Sequence, residues 1–477
     1  MKYKKLLIVF AVLIIAAGIV YLLIDSKIEK KDSAPVPLAD KIGTPDKETQ
    51  LVSRDAGTMV SISYSSEGET HVFKKVDGEW VYDGIDGYPL HQAYVNNMAN
   101  AAADIRYTRM FSDPSEIENT ADFSDPLCEI RIRYEDGTED SYTLGSLNDV
   151  TQSVYFKKNP DETVYMIKKE RIDPFLKSIY FLTDPVDFKK VASESISSLA
   201  IERKSGGLTV AKLPEGSHEF YSDTIKWKLQ SGGKSLPGDG TNAVLFSNVL
   251  QSVVLRDCVG YTGFSSCDIS DFGLDDPDVY TVSGQTGDDV FSLLVGDKSE
   301  KGTYYVMVQG TGFIYTTTQT FASAIDSVTM QYFIPPSVCS IKLDELKKMT
   351  VKYSGEEHVF LAEKNASDGS VKYYVDGNEV PQTPVQNFII QLDSITAAGF
   401  VDDGDPESDS PYLEIEFTRD TETYKVMTVR FLPYDINYYL VEFNDMNNIL
   451  VTKRDVESLI GARIKLSLFF IICLEVL

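Results

Sequence analysis

The chain reads as an α+β protein, with one N-terminal transmembrane helix followed by tandem repeats of antiparallel β-sheet covered by a helix. Three observations predict this. An uncharged apolar run occupies residues 6–24. A set of aromatic, proline and glycine landmarks recurs three times in one order. Between the landmarks, stretches such as Glu129-Ile130-Arg131-Ile132-Arg133-Tyr134 alternate polar and apolar residues, the period of a strand with one wet face.

The apolar run follows Lys2, Lys4 and Lys5 and contains no proline. At about 1.5 Å of rise per residue it nearly matches a hydrocarbon core of about 30 Å. Basic residues before it and Asp25 after it place the N-terminus in the cytoplasm and the bulk of the chain outside. No small-residue cleavage site and no cysteine close the run, so it reads as an uncleaved single-pass anchor in the cell membrane. Residues 25–50, rich in Lys, Asp, Ser and Pro, have a spacer's composition.

The repeats follow. Pro126, Pro277 and Pro411 each open an alternating run, and each is followed about 28 positions on by a tyrosine: Tyr155, Tyr305 and Tyr439. A further strand position comes about ten residues later, at Tyr165, Tyr315 and Ile449. Short amphipathic segments close the units at 172–176, 321–325 and 456–460. Upstream, hairpins carry Trp80, Trp227 or Tyr374. In the first and third units these lead into Asp83-Gly84 and Asp376-Gly377 turns. Helix-like stretches come next, at 90–102, 244–254 and 385–395. In the second, Val244, Leu245, Asn248, Val249, Ser252 and Val253 recur at helical spacing, which predicts one apolar face. Each unit is expected to run β-β-α-β-β-β-α.

The expected organisation is an anchor at 1–24, a stalk at 25–50, repeat domains at 51–190, 195–335 and 343–462 (the last divergent), and an apolar tail at 463–477. The tail is too short to span a bilayer.

Bulk properties limit the function classes. The 45 basic and 72 acidic residues give a formal net charge of −27, which repels phosphate backbones, so nucleic acid is not an expected partner. Five scattered cysteines make no disulfide framework and no CxxC pair. Cys258 and Cys267 are close enough in sequence for a local bridge, and apolar packing as free thiols is the other reading.

Trp227, Phe272-Gly273-Leu274-Asp275-Asp276-Pro277, Leu294-Val295-Gly296-Asp297, Tyr304-Tyr305 and Ile314-Tyr315 together resemble the bacterial domain-of-unknown-function family 4340. The first unit has the same outline in Trp80, Gly87-Tyr88-Pro89-Leu90, Phe123-Ser124-Asp125-Pro126, Leu144-Gly145, Val154-Tyr155 and Val164-Tyr165. The third lacks the tryptophan, the full Phe-Gly-Leu-Asp run and the Leu-Gly pair. The resemblance implies a membrane-anchored chain, often encoded beside ABC-type transport components of the gliding-motility kind. It brings no established catalytic residues.

Several fragments imitate motifs. Asp271-Phe272-Gly273 lacks a catalytic loop and a Gly-rich loop before it, and reads as a packed loop. Gly232-Gly233-Lys234-Ser235 has Lys228 where a phosphate-binding loop needs glycine, and reads as a polar hairpin. The histidines His71, His91, His218 and His358 are dispersed without ligand spacing. The acidic stretches 402–409 and 271–278 have a composition calcium accepts, but not an EF-hand's spacing. The tyrosine pairs 304–305, 373–374 and 438–439 fit sheet packing first and a binding surface second. No catalytic, cofactor-binding or metal residue is assigned.

The expected function is therefore a non-enzymatic, membrane-anchored extracytoplasmic binding or scaffolding protein. Its expected partner is an ABC transporter permease or another envelope component. The alternative is a cell-envelope hydrolase or carbohydrate-processing enzyme pairing Asp275 or Asp276 with Asp402 or Asp403.

Overall fold

A computed structural model describes residues 47–461 apart from 67, 114–116, 218, 223, 366, 368, 402–403 and 444–445. The anchor at 6–24, most of the stalk and the tail at 463–477 lie outside the described residues, as do His218, Asp402 and Asp403. Among the described residues no helix is long and apolar enough to cross a membrane.

Alternating burial generates three large antiparallel sheets of eight, nine and nine strands, plus a two-stranded pair. Cys128–Tyr134 shows the cause, since its side chains are buried and exposed in strict alternation. In the second sheet the order from edge to edge is Lys234–Pro237, Trp227–Ser231, Leu208–Lys212, Ile196–Glu202, Asp278–Gly284, Val290–Lys298, Tyr304–Val308, Phe313–Thr316 and Cys258–Tyr261. The chain enters at the centre with Ile196–Glu202 and meanders to one edge. It crosses through a helix to Cys258–Tyr261 at the far edge, returns to the centre at Asp278–Gly284, and meanders outward again. The third sheet follows the same path from Leu346–Tyr353 to Met446–Thr452. The first follows it from Met59–Ser66 to Val164–Lys168, lacking one edge strand.

The tandem repetition of helix-bearing antiparallel sheets is thus observed, but each unit carries more strands than the β-β-α-β-β-β-α expected. The missed strands include the edge strands, as short as Gly399–Phe400 and Asn378–Val380, and too brief to show a period. Strand pairing also begins earlier than a stalk to residue 50 implies, because Thr49–Ser53 pairs with Asp104–Tyr107.

The helices between strands are α1 (Gln92–Ala103), α2 (Gly240–Gln251) and α4 (Gln382–Asp393). A closing helix, α3 (Gln319–Ser327), stands where the 321–325 segment was expected. Helix α2 corrects the sequence reading of its face. Its buried side chains are Ala243, Phe246, Ser247, Leu250 and Gln251, whereas Leu245 and Val249 are exposed. Two apolar stripes compete, and the one offering Phe246 and Leu250 beside small Ala243 and Ser247 lets the helix sit closer on the sheet.

The described chain forms two compact units, one of residues 47–65, 72–79 and 93–176, the other of 66–71, 80–92 and 177–461. In the first, Tyr64 packs against Phe73 and Phe175, with ring centroids 5.8 and 6.3 Å apart. The second holds the second and third sheets. Its third-sheet core contains Phe388, Phe417, Phe431 and Phe443, all almost fully buried. Arg419 is 4 % exposed in that region; its guanidinium pairs with Glu345 and reaches Met427 Sδ at 3.2 Å.

The landmarks acquire physical meaning in this fold. Phe272 meets Tyr305 edge to face at 5.1 Å, and Tyr412 stacks on Tyr439 at 4.7 Å. Phe123 packs against the cluster containing Tyr155. Each long-spaced tyrosine therefore receives an aromatic from beside its unit's proline, before it in the first two units and directly after it in the third. The glycine after Leu144, and the one after Val295, lie under the loop before that proline. A Cβ on Gly145 would stand 2.1 Å from the Ala121 carbonyl oxygen, and one on Gly296 would stand 2.1 Å from that of Phe272. Gly232 and Gly233 form a tight hairpin turn with φ of 57° and 78°, so the phosphate-loop lookalike is a polar hairpin.

Candidate functional site

A cavity of about 670 Å³ in the second unit opens where the second sheet hands over to the third. One wall is the entry to α2. Trp227 begins the strand Trp227–Ser231, and Pro237 ends the strand beside it. The Gly238 amide donates to the Trp227 carbonyl at 2.9 Å, and the Asp239 amide donates to that of Phe333 at 2.7 Å. Asp239 caps the helix, accepting from the Asn242 amide at 3.0 Å. Glycine is required next, because a Cβ on Gly240 would lie 2.1 Å from Trp227 Nε1. The indole therefore rests on the first residue of the helix.

The opposite wall is the segment joining the sheets, from Ile334 through Pro335 and Pro336 to Ser340. Two prolines stiffen it, and hydrogen bonds pin it to the end of α4. Ala397 donates to the Pro336 carbonyl at 2.8 Å, and Ser337 Oγ donates to the Asp393 carbonyl at 3.3 Å. Tyr221 closes one end. It comes from the loop between two strands of the second sheet, yet its ring is buried in the third-sheet core. Burial holds its phenol well above the usual range.

Asp393 is the distinctive polar group. It ends α4 and lines the cavity, and its Oδ1 accepts from the Ile341 amide at 3.3 Å. Burial, only partly offset by that amide, pushes the carboxyl up to about 6. Lys226 is the cation lining the same cavity. No local sequence signal marks this aspartate, because its environment comes from residues 334–341, far away in the chain.

The residues singled out in the sequence mostly serve packing. Asp271 and Asp275 are exposed; Asp276 pairs with Lys204 at 3.3 Å, and Asp278 stands 3.9 Å from Arg203. The described structure therefore does not gather them, and among the described residues no cluster of three or more His, Cys, Asp or Glu is placed to hold a metal. Asp268 caps the turn Ile269–Phe272 and Gly273 ends it with φ of 66°, so the kinase-like triplet is a packed loop. His71 is buried with Nδ1 2.9 Å from the Tyr82 hydroxyl, whereas His358 lies 2.7 Å from Asp376. Burial lowers the His71 pKa. His91 faces Asp184 at 3.8 Å.

Cys128, Cys258, Cys267 and Cys339 are free thiols, so Cys258 and Cys267 are not bridged; burial raises the Cys258 thiol to about 12. Tyr88, from the Gly-Tyr-Pro-Leu landmark, anchors an aromatic cluster. It stacks on Tyr82 at 4.8 Å, meets Phe313 at 5.2 Å, and bonds Thr183 Oγ1 at 2.8 Å. In two of the tyrosine pairs, Tyr373 and Tyr439 are buried while Tyr374 and Tyr438 are partly exposed, the alternation of strand residues, whereas Tyr304 and Tyr305 are both partly exposed.

The family model for the domain of unknown function DUF4340 matches residues 80–257 and 265–413, crossing two of the repeats. No curated protein and no solved structure matches the chain. With well over half its length matched, the chain belongs to the domain-of-unknown-function family 4340.

Proposed function

We propose that the chain is a non-enzymatic binding or scaffolding protein, tethered to the cell membrane through residues 6–24 and projecting its sheet repeats outside the cytoplasm. Its partner in this reading is an ABC-type transport permease. The observation that carries the binding role is the fixed cleft between the second and third sheets. Tyr221 is sunk into the neighbouring core, and the proline-bearing segment is pinned to α4, so the cleft walls are held before any ligand arrives. Preorganised walls reduce the ordering cost of binding.

The polar groups of those walls favour recognition over acid–base chemistry. Asp239 is committed to capping α2, and Ser337 to bonding the end of α4. Asp393 is left without a second uncommitted carboxylate, and glycoside hydrolysis of the two-carboxylate kind needs a pair. The anchor and the transport partner rest on the sequence run and on the family resemblance.

Purifying the full chain from membranes in mild detergent tests the reading. Reproducible recovery of a transport permease with it is the expected result. Recovery of the chain alone, or its release in soluble form without residues 6–24, rejects it. Protease added to intact cells should digest the repeats.

A further inference from the structure

We propose that the cleft between the second and third sheets binds an organic ammonium ion with an apolar body, its charge held by the Asp393 carboxylate and its flank by the Trp227 indole. The proposal rests on the cleft reading above and names the ligand class for it.

The cleft's size suits a small organic molecule, since such sites run about 300–1,000 Å³, and this one holds about 670 Å³. Its surfaces are of two kinds. Ile225, Pro237, Pro335 and Pro336 offer apolar walls. Asp393 offers a carboxylate whose one hydrogen bond among the described residues is the long 3.3 Å contact from Ile341. A desolvated carboxylate without a counter-ion is unfavourable, and a ligand cation relieves it. Trp227 adds the side chain with the strongest attraction for cations among aromatics.

Anions are disfavoured, because Asp239 and Asp393 outnumber Lys226 along the walls. A bare metal ion calls for several oxygen ligands, whereas most of the lining around Asp393 is hydrocarbon. A charged amine on a carbon framework uses both surfaces at once.

The groups facing Asp393 leave a clean pH signature. The Tyr221 hydroxyl and Cys339 thiol act on it electrostatically, and burial keeps both protonated well above neutral pH. The Arg419 charge acts on both of these in turn, and Lys226 and Asp239 also line the cavity. Burial places the Asp393 titration at about 6, so affinity for a permanently protonated amine should fall as the carboxyl is neutralised.

The test is calorimetric titration of the full chain in detergent with phenethylammonium and with 2-phenylethanol, a neutral molecule of similar shape. The amine should bind at least about tenfold more tightly. Asp393→Asn should erase that preference, and Trp227→Leu should weaken the amine about fivefold. Lowering the pH from about 7 to about 5 should weaken amine binding to the native chain and leave the Asn variant unchanged. A lysine-containing tripeptide, run in parallel, separates a free amine from a lysine side chain as the natural source.

Equal affinity for the two probes, no amine binding at millimolar concentration, or unchanged binding in Asp393→Asn overturns the proposal. Thermal melting verifies that the Asn variant folds; should it not, Trp227→Leu and the pH arm decide. Failure here leaves the membrane copurification result standing on its own, so the two readings fail separately.

Discussion

Tyr221 meets Phe443 edge to face, with ring centroids 4.8 Å apart and ring planes at 89°. The first side chain belongs to a loop of the second sheet, the second to a strand of the third. The contact therefore joins two sheets that could otherwise move apart. Replacing Tyr221 by Ala should cost about 3 kcal/mol and split a joint unfolding transition into two. Urea denaturation followed by intrinsic fluorescence checks this. One unsplit transition at an unchanged midpoint would show that the linker segment alone holds the sheets together.

Gly145 and Gly296 carry the closest approaches of loop to sheet. Adding a methyl group drives it to 2.1 Å from a backbone carbonyl oxygen in both cases, far inside contact distance. Gly145→Ala and Gly296→Ala should each destabilise by about 1–3 kcal/mol. Gly287, where a Cβ meets nothing within 4 Å, is the control, and its alanine variant should melt at or slightly above the native temperature. Thermal melts of the three variants make the comparison.

The Arg419–Glu345 pair predicts an asymmetry. The arginine side chain is 2 % exposed and the glutamate 21 %, so the cation depends on its partner more than on water. Glu345→Gln should cost about 3 kcal/mol by stranding a buried charge. Replacing both residues together, Arg419→Met with Glu345→Leu, should come within about 1 kcal/mol of the native chain. Chemical denaturation of the single and double variants measures the difference. A double variant as unstable as the single one would falsify the desolvation argument.

Asp393 should make stability depend on pH in a direction opposite to an ordinary ion-paired carboxylate. Its folded value of about 6 stands above its ordinary 3.8, so folding favours the neutral form. The stabilising effect is full below the ordinary value and is lost as pH rises from about 4 to about 6, then stays constant. Asp393→Asn should remove that slope and leave the chain more stable at neutral pH by on the order of 2 kcal/mol, partial solvent access trimming the full effect. Melting temperatures across the window provide the readout. A variant gaining stability while losing amine binding would be the signature of a residue kept for function.

Much of the repeat was legible because its landmarks are contacts that only a few residue types can make. The spaced tyrosines at 155, 305 and 439 are each half of an aromatic contact, and Gly145 and Gly296 sit where a side chain has no room. Edge strands of two to four residues left no periodic trace, and the strand count came out low. The apolar face of α2 was misassigned because Leu245 and Val249 form a second stripe as regular as the buried one. Trp227 apart, the cleft left no mark in the sequence. Its parts come from 221–241, 334–340 and positions 393 and 449, and most look ordinary until folding brings them together.

The way each large sheet ends has a wider consequence. The outermost strands are Glu79–Tyr82 and Arg109–Phe111 in the first, Lys234–Pro237 and Cys258–Tyr261 in the second, and Asn378–Val380 and Gly399–Phe400 in the third. None exceeds four residues, and one closes on a proline that has no amide hydrogen to offer. Neighbouring copies crowded side by side therefore meet, at these outermost strands, only short backbone ladders on which to zip together. Short outermost strands of this kind lower the tendency of a β-rich chain to seed fibrils at high local density.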